Sequence, residues 1–302
     1  MRTRPFGNTG LRVAEVGMGC NRLGEAQCPE SHWIDLVREA VDLGVTIFDT
    51  AEAYQQGGSE DILGKALGSA DGVYIASKVG GSSGAVFSSA QIVRACETSL
   101  KRLRRDCIDV YQLHSPSREE MEECDWSAAL QQLREAGKIR VRAVAVNCAA
   151  DGIWLIEQGL VEALQITYNL LDTSAEERLF PLAQERGIAL LCRLPLAQGI
   201  LSGKFVPGQT ISDDHRAVRA GSKMEQRIAH AETLKPLGDQ YEGGLTRLAH
   251  HFSLSPPAIS CTIPGARTSA QLRENVASSG GETLSDKWKT RIARVQKTWN
   301  EE

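Results

Sequence analysis

The 302-residue chain is 42% hydrophobic and 24% charged, with a net charge of -4 and a pI near 5.9. This is a globular mixture, long enough to bury a sizeable core without disulfides or metals. The charge sets up no field toward nucleic acid or an anionic membrane, and aromatics at 5% give no stacking platform for single strands. Eight cysteines, at 20, 28, 96, 107, 124, 148, 192 and 261, form no Cys-x-x-Cys pair, and the six histidines show no His-x-x-x-His spacing. Neither a disulfide framework nor a metal centre is therefore expected. Met1–Phe6 lacks the apolar core of a signal peptide and no apolar run reaches membrane-spanning length, so the expected setting is cytoplasmic and reducing.

In chain order, Arg4–Phe6 and Leu11–Val13 flank Gly7-Asn8-Thr9-Gly10, which suits a β-hairpin. Val13–Met18 reads as a strand, with Gly17, Gly19 and Cys20 allowing a close turn at its end. Glu30–Leu43 is helical, with Trp33, Leu36, Val37, Ala40 and Val41 on one face. Val45–Phe48 is a short buried strand ending on Asp49, and a helix starts at Ser59 behind early acids. Further strands are Val73–Ser77, Ile108–Leu113, Ile139–Val146, Ala163–Tyr168, Ile188–Cys192 and Pro257–Ile263. Between them lie helices at Ser89–Arg104, Glu119–Ala136, Ile153–Gln158 and Ser174–Arg186. Leu194–Ser255 breaks the alternation, with a polar loop over Gly208–Ser222 and helical material from Met224 to Phe252. An amphipathic helix, Leu284–Trp299, closes the chain.

Eight strands alternating with helices, with no linker, predict one domain over residues 1–302. The expected fold is a parallel (β/α)8 TIM barrel with an N-terminal hairpin and an extra C-terminal helix. The competing open sheet needs a Gly-x-Gly-x-x-Gly turn after its first strand. Here Gly17-Met18-Gly19 is followed by Arg22 where the third glycine belongs.

Reactive side chains of such a barrel project from the C-terminal strand ends. Asp49, Lys78 and His114 end three consecutive strands, and Tyr54 lies in the loop beyond the first of these. Singly, each has a plain structural reading: a cap, packing, a surface lysine, a histidine satisfying carbonyls. Together they make chemical sense. A phenol with an ordinary pKa of about 10 is a poor acid near neutrality. A lysine ammonium beside it favours the phenolate, an aspartate keeps that ammonium charged, and a histidine orients a carbonyl.

In order and context, Asp49, Tyr54, Lys78 and His114 resemble the catalytic tetrad of the aldo-keto reductase superfamily, bacterial type. The strings FDTAEAY, SEDILGKAL, SLKRLRRDCIDVYQLHSP, PLAQGILSGKF and IPGARTSAQLREN are similar to that family too, from the hairpin to about Gly281. The resemblance implies NADPH lying over the barrel rim, and a small-molecule aldehyde or ketone reduced to an alcohol. Tyr54 would be the general acid, Lys78 and Asp49 would tune it, and His114 would place the carbonyl. It also implies that Asn147 and Gln165 hold the nicotinamide carboxamide. Pro195–Phe205 would cross the pyrophosphate through Leu196, Gln198, Gly199 and Lys204. Ile263, Gly265, Arg267, Gln271, Glu274 and Asn275 would grip the adenosine end, with Arg267 on the 2′-phosphate. Gly19 and Cys20 complete the expected cofactor set.

Two positions depart from the family pattern. Val146 stands where many members have a serine beside the carboxamide, and Arg193, two residues before Pro195, stands where many have a stacking tyrosine. A guanidinium plane can stack in its place. Two other function classes stay open: a catalytically weak NADP(H)-binding sensor or regulatory subunit, and a lyase using Lys78 as a Schiff-base amine. The substrate pocket is expected from Cys20–Arg22, Gln55–Gly58, Gly80–Phe87, Ser115–Ser117, Lys204–Ser222 and the C-terminal segment. Neither a nucleic-acid nor a membrane partner is expected. The oligomeric state is left open, a monomer being admissible.

Overall fold

The computed structural model describes residues 1–81, 87–205, 223–281 and 284–299. β1 (Thr3–Pro5) and β2 (Arg12–Ala14) pair antiparallel, Arg4 opposite Val13, as the expected hairpin. Eight parallel strands follow: β3 (Met18–Gly19), β4 (Ile47–Asp49), β5 (Tyr74–Val79), β6 (Ile108–His114), β7 (Ile139–Ala145), β8 (Ala163–Thr167), β9 (Ala189–Arg193) and β10 (Ile259–Thr262). Each pairs with its neighbours in chain order. Parallel bridges Val16–Thr262 and Gly19–Gly265 bring the ends of the sheet together into a nearly closed barrel. On the β4 side of β3, a Cβ on Gly17 would lie 2.7 Å from Ile47 Cγ2 and 2.8 Å from its carbonyl. Only glycine allows β3 to approach so closely.

The helices between the strands are α1 (Glu30–Asp42), α2 (Gly58–Ala66), α3 (Ser89–Leu103), α4 (Arg118–Glu123), α5 (Trp126–Glu135), α6 (Ala149–Glu157), α7 (Leu179–Arg186), α8 (Lys223–Gly238) and α9 (Gly244–Leu254). α10 (Ser269–Val276) and α11 (Asp286–Thr298) follow β10. Their apolar stripes, such as Trp33, Leu36, Val37 and Ala40 on α1, bury against the outside of the sheet. Inside the barrel sits a separate apolar layer that includes Ile47, Ala76, Val110, Ala163 and Leu191. Phe6 of the hairpin packs into it, fully buried. Strand side chains alternate with period two. The next inward positions toward the C-terminal ends are therefore Asp49, Lys78, Gln112 and Gln165. A polar layer lies directly above the apolar plug.

Three expectations about elements are corrected. The expected strand Val13–Met18 is divided: β2 ends at Ala14 and β3 begins at Met18. Between them Glu15 turns its carboxylate inward onto Arg2 and Arg4, at 3.0 and 2.9 Å. The expected helix Glu119–Ala136 is two helices, because Cys124 is extended (φ -101°, ψ 149°). That break drops Trp126 into the core, 1% exposed, with its indole N–H on the Met121 carbonyl at 2.9 Å. The helix expected from Ser174 begins only at Leu179. Ahead of it, Asp172 Oδ1 accepts from the Ser174 amide (3.3 Å) and hydroxyl (2.8 Å), a local bond that competes with helix.

Candidate active site

Asp49, at the end of β4, is 3% exposed, and Lys78, on β5, is fully buried. A charge so placed persists only with close partners. Asp49 Oδ2 accepts from Lys78 Nζ at 2.6 Å, while Oδ1 accepts from Gln165 Nε2 (2.7 Å) and Gln112 Nε2 (3.2 Å). An ammonium has three N–H bonds. Those of Lys78 reach Asp49, the Thr50 carbonyl (2.8 Å) and the Tyr54 hydroxyl (3.4 Å). Burial pushes Lys78 down, but Asp49 above all, and Tyr54, outweigh it, so its pKa lies above the ordinary lysine value. Lys78 is a permanent cation at neutral pH, held 4.9 Å from the Tyr54 ring centre.

Tyr54 is half-buried and opens a 3-10 turn, Tyr54–Gly57. Its ring meets that of His114 edge-on, centroids 5.5 Å apart at 86°. The four residues singled out from three strand ends therefore do converge. The backbone around them is strained: Gln55 and Gln56 after Tyr54, Ser115 after His114, Leu194 after Arg193, and Ala197 and Gln198 beyond Pro195 all have positive φ. Each such non-glycine residue costs roughly 1 kcal/mol or more. Arg104 is the only other non-glycine residue with positive φ among the described residues.

The remaining expected residues occupy the rim from β7 round to β3. Asn147 follows β7, exposed, with its amide on the Ser115 carbonyl at 3.2 Å. Gln165 on β8 is 2% exposed, its NH2 turned to Asp49. Arg193 ends β9, and its guanidinium reaches Thr167 Oγ1 (3.1 Å), Ser115 Oγ (3.2 Å) and the Val146 carbonyl (3.0 Å), spanning three neighbouring strand ends. Pro195 is buried and Leu196 half-buried ahead of a 3-10 turn, Ala197–Ser202, that carries Gln198 and Gly199; Lys204 beyond it is exposed. The side-chain oxygen of Gln198 is buried without a hydrogen-bond partner.

Beyond β10, Ile263 is 6% exposed, Gly265 bridges Gly19, and Arg267 reaches Glu25 at 3.1 Å. Glu25 also pairs with Arg22. The Arg267 amide donates to Gln271 Oε1 (2.8 Å), and Glu274 is exposed. Asn275 is 4% exposed, bonded to the Gly265 carbonyl (3.2 Å) and to His250 (3.1 Å). Burial pushes that histidine down to about 4, so it is neutral. Cys20 is buried and its amide donates to the Asp49 carbonyl at 2.8 Å; burial pushes its thiol well above the usual range. Of the loops expected around the pocket, Gly80–Phe87 and Lys204–Ser222 lie partly outside the described residues.

Two residues of the site were not singled out from sequence. Gln112 holds Asp49 from β6, and its signal was present: it stands two residues before His114, on the same strand face. Glu52, between Asp49 and Tyr54, accepts from the Gly80 amide at 2.8 Å. No local pattern announces that bond.

The family model described as "Aldo/keto reductase family" matches residues 15–297. The chain belongs to the aldo/keto reductase family. It is 30% identical over 301 residues to the aldo-keto reductase YhdN of Bacillus subtilis (strain 168), covering 94% of this chain and 90% of that protein. It is 29% identical over 312 residues to the NADH-specific methylglyoxal reductase of Escherichia coli (strain K12), covering 92% and 93%. The holo form of aldo-keto reductase AKR11C1 from Bacillus halodurans superposes with a TM-score of 0.84 at 28% identity, over 98% of this chain and 96% of that one. The chain is accordingly read as an oxidoreductase of a family that acts on small carbonyl compounds with nicotinamide cofactors. Among the described residues no helix is long and apolar enough to cross a membrane.

Proposed function

We propose that this aldo/keto reductase reduces an aldehyde or ketone to an alcohol by hydride transfer from NADPH, with Tyr54 as the proton donor. The observation that carries the reading is the third N–H of Lys78. Two are committed to Asp49 and Thr50, and the remaining one is aimed at the Tyr54 hydroxyl at the mouth of the barrel. A fixed cation there stabilises the phenolate that forms as Tyr54 gives up its proton, and low-dielectric surroundings strengthen the effect. His114, edge-on to Tyr54, supplies a ring N–H toward a carbonyl oxygen placed between the two, so the oxygen is polarised before it accepts the proton.

The rim fits a nicotinamide dinucleotide. The partnerless, buried Gln198 oxygen is an acceptor, and in the turn expected at the pyrophosphate it would take a cofactor hydroxyl. Arg267, just ahead of the start of α10, sets a guanidinium beside a helix N-terminus capped by Thr268, a good seat for a phosphate. When bound, the cofactor supplies the hydride. Asn147 and Gln165 would hold its carboxamide, and Arg193 would offer the face of its guanidinium to the ring. Preference for NADPH rests on Arg267, whose present partner Glu25 must yield to the 2′-phosphate.

Tyr54→Phe tests the mechanism. Turnover with a panel of aldehydes and NADPH should fall about 10³-fold, while NADPH binding, followed by fluorescence, stays within about twofold. Equal turnover in the variant would overturn the role given to Tyr54.

A further inference from the structure

The pairing of β4 with β5 continues beyond the end of β4, into the loop that carries Tyr54. The Thr50 amide donates to the Ala76 carbonyl at 2.8 Å, and two residues on the Glu52 amide donates to the Lys78 carbonyl at 3.1 Å. In a parallel ladder the next rung would run from the amide of residue 80 to the carbonyl of residue 52. Tyr54 has turned away into its 3-10 turn, and the rung is completed by a side chain: Glu52 Oε1 accepts from the Gly80 amide at 2.8 Å. The next residue, Gly81, has φ +86°, and a methyl group on it would collide with the His114 imidazole. Gly81 backbone thus forms one wall of the space that His114 occupies, and the Tyr54 ring lies edge-on to the same imidazole.

We infer that Glu52 is a positioning residue: its carboxylate ties the Tyr54 loop to the Gly80–Gly81 turn and thereby fixes the imidazole of His114 relative to the Tyr54 hydroxyl. The inference rests on the placement of His114 and Tyr54 at the reactive end, not on any particular substrate. Glu52 does not touch the reacting atoms; it acts through the glycine turn. An acceptor is what the rung requires, and a negative charge is not. Glutamine therefore preserves the tie, whereas alanine removes it and aspartate, one methylene shorter, falls short of the amide.

The test compares Glu52→Ala, Glu52→Gln and Glu52→Asp in the full chain. With a carbonyl substrate, Glu52→Ala should lower kcat about 10- to 100-fold, the size of effect that an ångström-scale misplacement produces. Its NADPH dissociation constant should stay within about twofold, and Glu52→Gln should recover most of the rate. The second readout is independent of catalysis. In protein labelled at its histidine rings, the His114 resonance, assigned by its loss in His114→Asn, should move and broaden in Glu52→Ala and Glu52→Asp and return in Glu52→Gln. Glu52→Asp gives the same reading if the alanine variant does not fold. A folded variant lacking the tie but keeping the wild-type His114 resonance overturns the inference, as does a glutamine variant no better than alanine. Failure of the proposed reaction would show instead as unchanged turnover in Tyr54→Phe, with the His114 shifts still present.

Discussion

Two buried carboxylates hold the two ends of this barrel, and under the proposed reaction one device gives stability at one end and chemistry at the other. Below the barrel, Glu15 is fully buried and accepts from Arg2 (3.0 Å), Arg4 (2.9 Å), Ser279 Oγ (3.1 Å) and the Gly280 amide (2.8 Å). The other bonds of Arg4 run to the Ile259 and Leu254 carbonyls, and Arg2 reaches Gly281. Both cations bind within the protein, and the knot stitches the hairpin to the C-terminal segment. Above the barrel, Asp49 holds Lys78 just as closely, yet one N–H of that ammonium reaches Tyr54 at the mouth. A buried carboxylate whose cations turn only to the scaffold holds elements together; one whose cation also reaches a phenol at the mouth can act on a proton.

The largest expected effect comes from removing the upper cation. Lys78→Met leaves Asp49 buried without its charge partner, which should cost about 3–5 kcal/mol of stability. Turnover should fall at least as far as in Tyr54→Phe. The pair also predicts a pH signature. Lys78 keeps its proton in the folded state at pH values where an unfolded lysine loses it, because its folded pKa is raised above 10.5. Its contribution is therefore complete below about 10.5 and disappears as pH rises through the folded value. Chemical denaturation between pH 9 and 12 should show that loss in the wild type and not in Lys78→Met, to within about 0.5 kcal/mol.

Glu15 should fail at the opposite end of the scale, with a smaller effect. Burial pushes its carboxyl up, but the Gly280 amide, Arg2 and Arg4 outweigh this and leave its pKa below the ordinary 4.5. The folded state then binds fewer protons than the unfolded state, so its contribution is present above about 4.5 and is lost as pH falls through the folded value. Glu15→Gln should cost about 3 kcal/mol at neutral pH and flatten the acid limb of stability. Its kcat should match wild type wherever the variant is folded. A change in kcat as large as that of Lys78→Met would erase the distinction between the two ends.

The comparison also explains what could be read from sequence. Strand alternation with helices gave the barrel, and position at the ends of consecutive strands placed Asp49, Lys78 and His114 on one rim, because both are local and repeat. The motif resemblance gave the family, which the match over residues 15–297 then established. The Glu15 knot was invisible, since its partners lie 11 to 265 residues away, and it is the reason one expected strand is two. Gln112 was legible in principle from its place two residues before His114. Glu52 was not: whether a glutamate after a strand end meets solvent or an amide on the next strand depends on how the loop turns.

Arg193 gives the finest test. Its N–H groups are committed to Thr167, Ser115 and the Val146 carbonyl, which places it with Arg4 as a tie between elements. Yet it lies on the reactive rim, half-buried, and a guanidinium whose edge is bonded still has a flat face for stacking. The two uses separate in Arg193→Ala. As a tie alone, it would cost stability, about 1 kcal/mol for bonds at a part-exposed site, and leave cofactor binding unchanged. As the seat of the nicotinamide ring it should weaken cofactor binding as well, by about tenfold. Arg193→Gln, which keeps part of the bonding but has no charge, should recover stability without recovering that affinity. Titrating both variants with NADPH, alongside their denaturation curves, decides whether this third cation belongs with the scaffold or with the site.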